Sequence, residues 1–152
     1  MSKTDLPPPP ARFTVVTLGV ADVGRSAAFY AALGFARKLA VTGDNVAFFE
    51  TGGSVLALYP WDSLARDAAL PEAPRPAAFR GVTLAWNCRS EAEVDAVLAF
   101  ALSQGATSLK AAHHTGYGGY SGYFSDPDGH PWEVVTAPGI EVGDDRRVHL
   151  AD

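Results

Sequence analysis

The sequence predicts an α+β fold built from two tandem βαβββ modules. A strand-like segment, VTLGV from Val16, recurs as VTLAW from Val82. A helix-like segment follows each copy and stops before a glycine, and strand-like runs then follow each helix in the same order. Such repetition is the signature of an internal duplication, so we expect two copies of one structural module.

The first module is predicted to span residues 12–60. Its opening run, FTVVTLGV, alternates larger and smaller side chains and is typical of a strand with two different faces. Asp22 is placed to cap the helix VGRSAAFYAAL, which ends at Gly34 because glycine accepts the left-handed conformation of a C-cap. The run NVAFFETGGSVLALYP then predicts two strands joined by a turn at residues 51–53, with a short strand before them at residues 37–41.

The second module is predicted at residues 80–137, after a connector at residues 60–79. This segment is rich in proline and alanine and predicts a connector with one helical turn. The strand GVTLAWN begins at Gly81, and Ser90 with Glu93 forms a capping box before a helix that ends at Gly105. Strands at residues 107–110, in TGYGGYSGYF and in HPWEVV complete the module.

The two modules together predict a single domain at residues 12–137 with a tail on each side. Residues 1–11 are proline-rich and predict a disordered tail. Residues 138–152 mix charges of both signs and predict a charged tail that is solvated or contacts a partner chain.

Composition excludes several classes of protein. The 152 residues are 47% hydrophobic and 19% charged, which is enough apolar material for one compact core. A formal net charge of −5 without a basic stripe argues against a nucleic-acid partner. No apolar run is long enough to span a membrane and no signal peptide is present, so we expect a cytoplasmic protein without a membrane partner.

Few residues outside the strands suggest chemistry. Cys88 is the single cysteine, which excludes an internal disulfide, and no base lies beside it in sequence. His113 and His114 are expected in a loop and, as neighbours on an extended chain, face opposite ways. His130 is expected to be exposed in a turn.

The alternation of the first strands predicts a cavity. Val16, Leu18 and Val20 share one face of the first strand, and this face is expected to meet the helix. The same is expected of Val82, Leu84 and Trp86 in the second module. The opposite faces carry residues too small to fill the interior, which leaves space for a ligand. Taken singly, each aromatic near this space is better explained by core or turn packing, whereas the aromatics as a group favour a ligand site. The candidate walls of the ligand site are Thr17, Thr83, Phe48, Tyr59, Trp61, Tyr117, Tyr120 and Tyr123.

A lone carboxylate, Glu133, is predicted to face this cavity. Asp126-Pro127-Asp128-Gly129 predicts a hairpin turn that sets the register of the last two strands. Glu133 lies between two apolar residues in the last strand, so its side chain takes the opposite face from theirs. A buried carboxylate needs a partner. Local donors are favoured over a ligand, and a ligand over a metal; the candidate donors are Thr17, Thr83, Tyr120 and a water molecule.

Two segments, VTLGVADVGRSAAFYAALGF and GYFSDPDGHPWEVV, resemble the vicinal oxygen chelate superfamily. That superfamily includes glyoxalases, bleomycin-resistance proteins, fosfomycin-resistance proteins and extradiol dioxygenases. The resemblance covers residues 13–136 and implies that the modules curl into a partly closed mixed β-barrel, the glyoxalase-like fold. One scaffold of this kind hosts several activities, so the resemblance indicates a fold more than a reaction.

The resemblance also implies where metal ligands would lie. In that superfamily they come from the first and last strands of each module, which here correspond to Val15, Ala57, Gly81 and Glu133. A tightly held divalent metal needs about three or four donor side chains, and only Glu133 offers one. Neither a bound metal nor another cofactor is therefore expected, and Ala57 becomes a candidate ligand-contact position instead.

These observations leave three hypotheses for function. The first is a metal-free protein that binds a small, flat or aromatic molecule in the cavity, as bleomycin-resistance proteins do. The second is an enzyme in which Glu133 is the general base. The third is a metal-dependent lyase, isomerase or dioxygenase, which the missing ligands disfavour. Small duplicated modules with free edges often pair, so a homodimer is expected.

Overall fold

The computed structural model describes residues 7–152, and the part of the predicted tail at residues 1–6 lies outside them. The first module comprises β1 (Val15–Val20), α1 (Val23–Ala32), β2 (Ala36–Lys38), a 3-10 turn (Ala40–Thr42), β3 (Ala47–Glu50) and β4 (Val55–Pro60). A connector follows with helix α2 (Trp61–Asp67). The second module comprises β5 (Leu84–Asn87), α3 (Glu91–Ser103), β6 (Thr107–His114), β7 (Tyr120–Ser125) and β8 (Pro131–Thr136). The chain ends with β9 (Ile140–Val142) and β10 (Val148–Leu150).

Each module forms a four-stranded mixed sheet of the same topology. The first sheet has the order β1-β4-β3-β2 and the second has the order β5-β8-β7-β6. In each, the first and last strands of the module run parallel while the other neighbours run antiparallel. The predicted α+β class and the two tandem βαβββ modules are therefore confirmed. The two sheets remain separate in the described chain and form no closed barrel.

The helices begin and end where local sequence chemistry predicts. The Asp22 side chain accepts a hydrogen bond from the backbone N–H of Arg25, and Ser90 accepts one from that of Glu93. Each cap satisfies a backbone donor that the helix itself leaves free. Gly34 and Gly105 follow the two helices with φ of 100° and 102°, the left-handed conformation that lets the chain turn away.

An aromatic cluster joins the two modules. Tyr30 of α1 is fully buried, and its ring centroid lies 5.9 Å from that of Trp132 in β8. Phe35, which follows α1, lies 5.5 Å from Trp86 and 5.9 Å from Trp132. The ring of Phe124 stacks on that of Trp132 with 6.0 Å between centroids. The modules therefore share one core and do not fold as two independent cores.

The face prediction for the first strands holds with one exception. Leu18 and Val20 are buried with α1, and Leu84 and Trp86 pack against the same core. Val82 does not, because β5 begins only at Leu84; its side chain is 57% exposed.

Three segments differ from expectation. The connector contains the seven-residue helix α2, in which Asp62 and Arg66 occupy the ends that suit their charges. His113 and His114 lie at the end of β6, so the prediction of loop histidines was wrong. Residues 138–152 are not a simple tail, because β9 and β10 pair as a hairpin.

The C-terminal hairpin touches both modules near its tip. Arg89, at the start of the second module's helix, pairs with Asp144 at 3.0 Å. Arg146 packs close to Gly52 in the turn between β3 and β4. No helix within residues 7–152 is long and apolar enough to cross a membrane.

Candidate functional site

A cavity of about 920 Å³ lies between the two modules and is named here the junction cavity. Its walls come from β1 on the first module and from the β7–β8 turn on the second. In the structure the connector extends from Trp61 to the start of β5 at Leu84, and its Trp61 and residues 75–80 form a further wall. The lining residues are those at positions 16–19, 75–80 and 127–131, with Trp61, Val82, Leu84 and Leu109.

The strand β1 contributes both of its faces to this cavity. It is the edge strand of its sheet, so Val16 and Leu18 reach the cavity as well as Thr17 and Gly19. Gly19 leaves room for the indole of Trp61, because a Cβ added there would lie 2.8 Å from Trp61 Cε3 and 3.3 Å from Trp61 Cα. The glycine of the VTLGV segment thus positions an aromatic wall.

The first aspartate of the DPDG turn is a buried hydrogen-bond centre. Asp126 Oδ2 accepts from the Tyr30 hydroxyl at 2.7 Å, and Oδ1 accepts from the backbone N–H groups of Asp128 and His130. The indole N–H of Trp132 donates to the Tyr30 oxygen at 3.0 Å. Burial first, and the adjacent Asp126 second, raise the pKa of Tyr30 well above its usual value, so the hydroxyl stays a donor.

Asp128, the second aspartate of the turn, also connects the two modules. The Asp128 carboxylate is fully buried, and its Oδ1 accepts from the backbone N–H of Ala21 at 2.8 Å. Arg75 of the connector donates to the same oxygen at 2.6 Å, and Arg25 of α1 lies 3.4 Å from it. Arg80 donates to the backbone carbonyl of Asp128 at 2.6 Å. The turn therefore holds the connector beside the cavity.

His130 is half-buried rather than exposed as expected. Its Nε2 lies 2.8 Å from the backbone oxygen of Gly19. A carbonyl oxygen only accepts, so Nε2 carries the proton and the ring bridges β8 to the end of β1. This contact explains why a histidine follows the DPDG turn.

Glu133 has a local partner that the sequence analysis did not name. The Tyr123 hydroxyl donates to Glu133 Oε2 at 2.7 Å, because β7 and β8 pair with these two residues opposite each other. The hydrogen bond to Glu133, followed by burial, raises the pKa of Tyr123 to about 12. This register arises because the connection spans residues 126–130 and Ser125 pairs with Pro131; a four-residue DPDG turn would place Tyr123 opposite Trp132 instead.

The structure separates the predicted site residues into groups. Thr17 and Trp61 line the junction cavity. Ala57 pairs with Thr17 and with Phe48 across the first sheet, and Tyr59 pairs with Gly19, so these three share the Thr17 face without lining the cavity.

The remaining predicted residues lie on or beside the second sheet. Tyr123 and Glu133 share the face of β8 that also carries Pro131, which lines the cavity. Tyr120 takes the α3 side, where its hydroxyl donates to Asp95 at 2.7 Å. Tyr117 is 60% exposed between β6 and β7, and Thr83 is exposed before β5.

The donor set does not fit a tightly bound metal. Val15, Ala57 and Gly81 have no side-chain donor, and one oxygen of Glu133 already accepts from Tyr123. Within residues 7–152 no group of three or more histidine, cysteine, aspartate or glutamate side chains is arranged to hold an ion.

Comparison with known proteins places this geometry in a family. The model of the Glyoxalase/Bleomycin resistance protein/Dioxygenase superfamily matches residues 12–134. A glyoxalase-related enzyme from Fulvimarina pelagi is 32% identical, with a TM-score of 0.81 over 93% of this chain and 99% of that one. A search of curated protein sequences found no match.

More distant solved structures share the fold. A glyoxalase/bleomycin resistance protein/dioxygenase from Nocardioides is 24% identical, with a TM-score of 0.73 over 91% of this chain and 92% of that one. A lactoylglutathione lyase from Agrobacterium tumefaciens is also 24% identical, with a TM-score of 0.63 over 85% of this chain and 96% of that one. These two likenesses bear on the fold alone.

Proposed function

The chain belongs to the Glyoxalase/Bleomycin resistance protein/Dioxygenase superfamily, and we propose that it binds a small, flat or aromatic organic molecule in the junction cavity without a tightly bound metal. The observation that carries the proposal is the cavity itself. Its volume of about 920 Å³ is within the range of small-molecule sites, and most of its lining is apolar.

The chemistry of the walls supports a flat ligand. Trp61 lies along one side, where Gly19 leaves it space, and Phe79 and Leu109 are 72% and 53% exposed on the connector and on β6. Exposed apolar groups of this size release water when a ligand covers them, which favours binding. A flat or aromatic molecule can lie against such walls and contact them over most of its surface.

The donor set supports binding without a metal. Three of the four positions at which the superfamily places ligands hold Val15, Ala57 and Gly81. A metal held by Glu133 alone would compete with the Tyr123 hydroxyl for its oxygen. The binding energy therefore has to come from the walls of the cavity.

Filling the cavity is expected to weaken ligand binding. Thr17 is exposed in β1, lines the cavity and makes no side-chain hydrogen bond among the described residues, so Thr17→Phe adds a ring where the ligand would sit. We expect affinity for an aromatic probe such as naphthoate to fall by about tenfold or more, since a clash that costs about 1.4 kcal/mol already has that effect. Isothermal titration calorimetry measures it.

Ala99→Phe is the matched control for this experiment. It adds the same ring to the exposed surface of α3, outside the lining of the cavity, and is expected to leave affinity unchanged. Equal affinity of Thr17→Phe and the unmodified protein would place the ligand elsewhere and contradict the proposed function.

Assembly and compartment are part of the proposal. We propose a homodimer. The free sheet edges at β2 and β6 support it, and so does Val15, which is 44% exposed.

The proposed compartment is the cytoplasm, because an unpaired thiol such as Cys88 suits a reducing environment. Burial first, and Glu93 second, raise the pKa of Cys88 to about 12, which makes the thiol unreactive.

A second candidate function is an enzyme with Glu133 as general base. The Tyr123 hydroxyl orients one carboxylate oxygen, and the pair is only partly buried, so the other oxygen is open to a substrate proton. Glu133 shares its face of β8 with Pro131 in the cavity wall, which brings the pair to the edge of the proposed site.

Glu133→Gln separates these two functions. If Glu133 is a base, the variant loses turnover of the bound molecule by about 100-fold or more and keeps its affinity. The pKa of Tyr123 should also fall from about 12 towards 10, because the carboxylate that stabilises the protonated phenol is gone. An ultraviolet titration of the phenolate checks the second point, with Glu141→Gln in β9 as control. Unchanged turnover in Glu133→Gln would exclude the general base.

The hydrogen bond between Tyr123 and Glu133 stabilises the fold only up to a limiting pH. Because the folded pKa of Tyr123 lies above its usual value of 10, its contact with Glu133 contributes fully below pH 10 and is lost as the pH rises towards 12.

A further inference from the structure

Three arginine side chains contact Asp128 at the turn end of the junction cavity. Arg75 and Arg25 contact Asp128 Oδ1 at 2.6 Å and 3.4 Å, while Arg80 contacts only the backbone carbonyl of Asp128. That carbonyl carries no net charge. Among the residues that line the cavity, Arg75 and Arg80 supply two positive charges against the single carboxylate of Asp128, although the chain as a whole has a net charge of −5.

Two of these guanidinium groups have spare donors beside the cavity. Arg75 and Arg80 both line it, and each guanidinium has five N–H donors, of which Asp128 receives one from each. In residues 7–152, Arg80 Nη1 has no hydrogen-bond partner and is shielded from solvent, so a ligand carboxylate meets this donor once the guanidinium turns in its own plane towards the cavity. Asp128 Oδ2 also lacks a partner, and a small rotation of a guanidinium towards it would leave the excess of positive charge unchanged.

The guanidinium of Arg80 is held in place by an aromatic ring. Its central carbon lies 5.1 Å from the centroid of the Trp61 ring, a cation–π contact that fixes one face of the group. The edge that carries the N–H donors remains the side on which an anion binds, and a carboxylate matches that edge with two parallel hydrogen bonds.

Apolar side chains form much of the rest of the cavity wall. Phe79, Val82 and Leu109 line it and are more than half exposed in the described chain. Besides Arg75 and Arg80, the charged or titratable residues in the lining are Asp128, whose Oδ1 accepts from Arg75, and His130, whose Nε2–H donates to Gly19. The site therefore combines cationic donors at one end with an apolar body.

We propose that the junction cavity takes an aromatic or flat organic acid, whose carboxylate is held by Arg75 and Arg80 while its ring lies against Trp61 and the apolar wall. This inference rests on the proposed function and specifies its ligand class. It assigns the connector a role in ligand selection, because both arginines come from residues 75–80.

Three probes of the same shape test the inference on the unmodified protein. They are naphthoate, which is anionic, naphthamide, which is neutral, and naphthylmethylamine, which is cationic. Calorimetry should show naphthoate binding about tenfold tighter than naphthamide and tighter still than the amine, since charge-assisted hydrogen bonds are about twice as strong as neutral ones. Equal or tighter binding of the amide or the amine overturns the inference and leaves the proposed function standing. Binding of none of the three contradicts both.

Single substitutions identify the residues that select the acid. Arg80→Gln and Arg75→Gln should each lower naphthoate affinity by about tenfold while leaving naphthamide affinity unchanged. Arg80→Lys, which keeps the charge, should retain the preference for the acid and serves if Arg80→Gln does not fold. Arg89→Gln, at the C-terminal hairpin, is the control and should not change either affinity. A loss of both affinities by the same factor in Arg75→Gln and Arg80→Gln would show that these arginines only hold the connector and would overturn their assignment.

Discussion

Replacing Trp132 with alanine is expected to lower the free energy of unfolding by about 3–5 kcal/mol, the usual cost of removing a large buried aromatic side chain. The indole is 6% exposed and lies within 6.0 Å of the rings of Tyr30, Phe35 and Phe124. These neighbours come from both modules, so the vacated space cannot close by movement of a single helix. Urea denaturation followed by circular dichroism measures the change.

Phe100→Ala is the control for this measurement. Phe100 lies on α3 and is 43% exposed, so its removal should cost much less than that of Trp132. The unmodified protein should unfold in a single transition because the aromatic cluster joins the modules. Two separate transitions, or a Trp132→Ala cost no greater than that of Phe100→Ala, would contradict the shared core.

Replacing Asp126 with alanine is expected to cost about 3 kcal/mol or more. The substitution leaves three donors without an acceptor, namely the Tyr30 hydroxyl and the N–H groups of Asp128 and His130. Each buried donor left unsatisfied costs about 1–3 kcal/mol. The same turn carries Asp128 and His130 into the cavity wall, so ligand affinity should fall together with stability.

Asp126→Asn distinguishes a lost acceptor from a lost charge. Asparagine keeps one carbonyl oxygen for the two backbone donors, and its amide donates to the Tyr30 oxygen where the carboxylate accepted. We expect it to be clearly more stable than Asp126→Ala when both are compared by urea denaturation. Equal destabilisation by the two variants would mean that charge, rather than hydrogen bonding, is what the turn requires.

The sequence predicted most of the fold because the decisive signals are local or repeated. VTLGV and VTLAW mark equivalent strands, and the caps at Asp22 and Ser90 act on backbone groups three residues away. The loop at residues 126–130 sets the register that places Glu133 opposite Tyr123, whereas the predicted donors to Glu133 were Thr17, Thr83 and Tyr120. Helix α2 was underestimated because the prolines that follow it dominate the composition of the connector.

The candidate site was less accessible from sequence. Alternation along β1 indicates two faces, but it does not reveal that β1 is an edge strand whose two faces both reach the junction cavity. Arg75 and Arg80 are distant from Asp128 along the chain, and only the packing of the connector against the β7–β8 turn brings them together. Long-range contacts between oppositely charged residues leave no periodic pattern in a sequence.

The cavity and the core depend on the same turn. Asp126 and Trp132 hold Tyr30 in the shared core, while Asp128 and His130 hold the connector and β1 at the cavity. A change in the turn therefore alters stability and ligand binding together. A change confined to the connector should affect ligand binding first, because its side chains are largely exposed.

A crystal structure of the protein with naphthoate tests the central claim most directly. The account predicts electron density for the probe in the junction cavity, with its ring beside Trp61 and its carboxylate within hydrogen-bonding distance of Arg75 and Arg80. A probe bound instead over the sheet face of Glu133 and Tyr123, or a junction cavity closed by repacking of the connector, would contradict it.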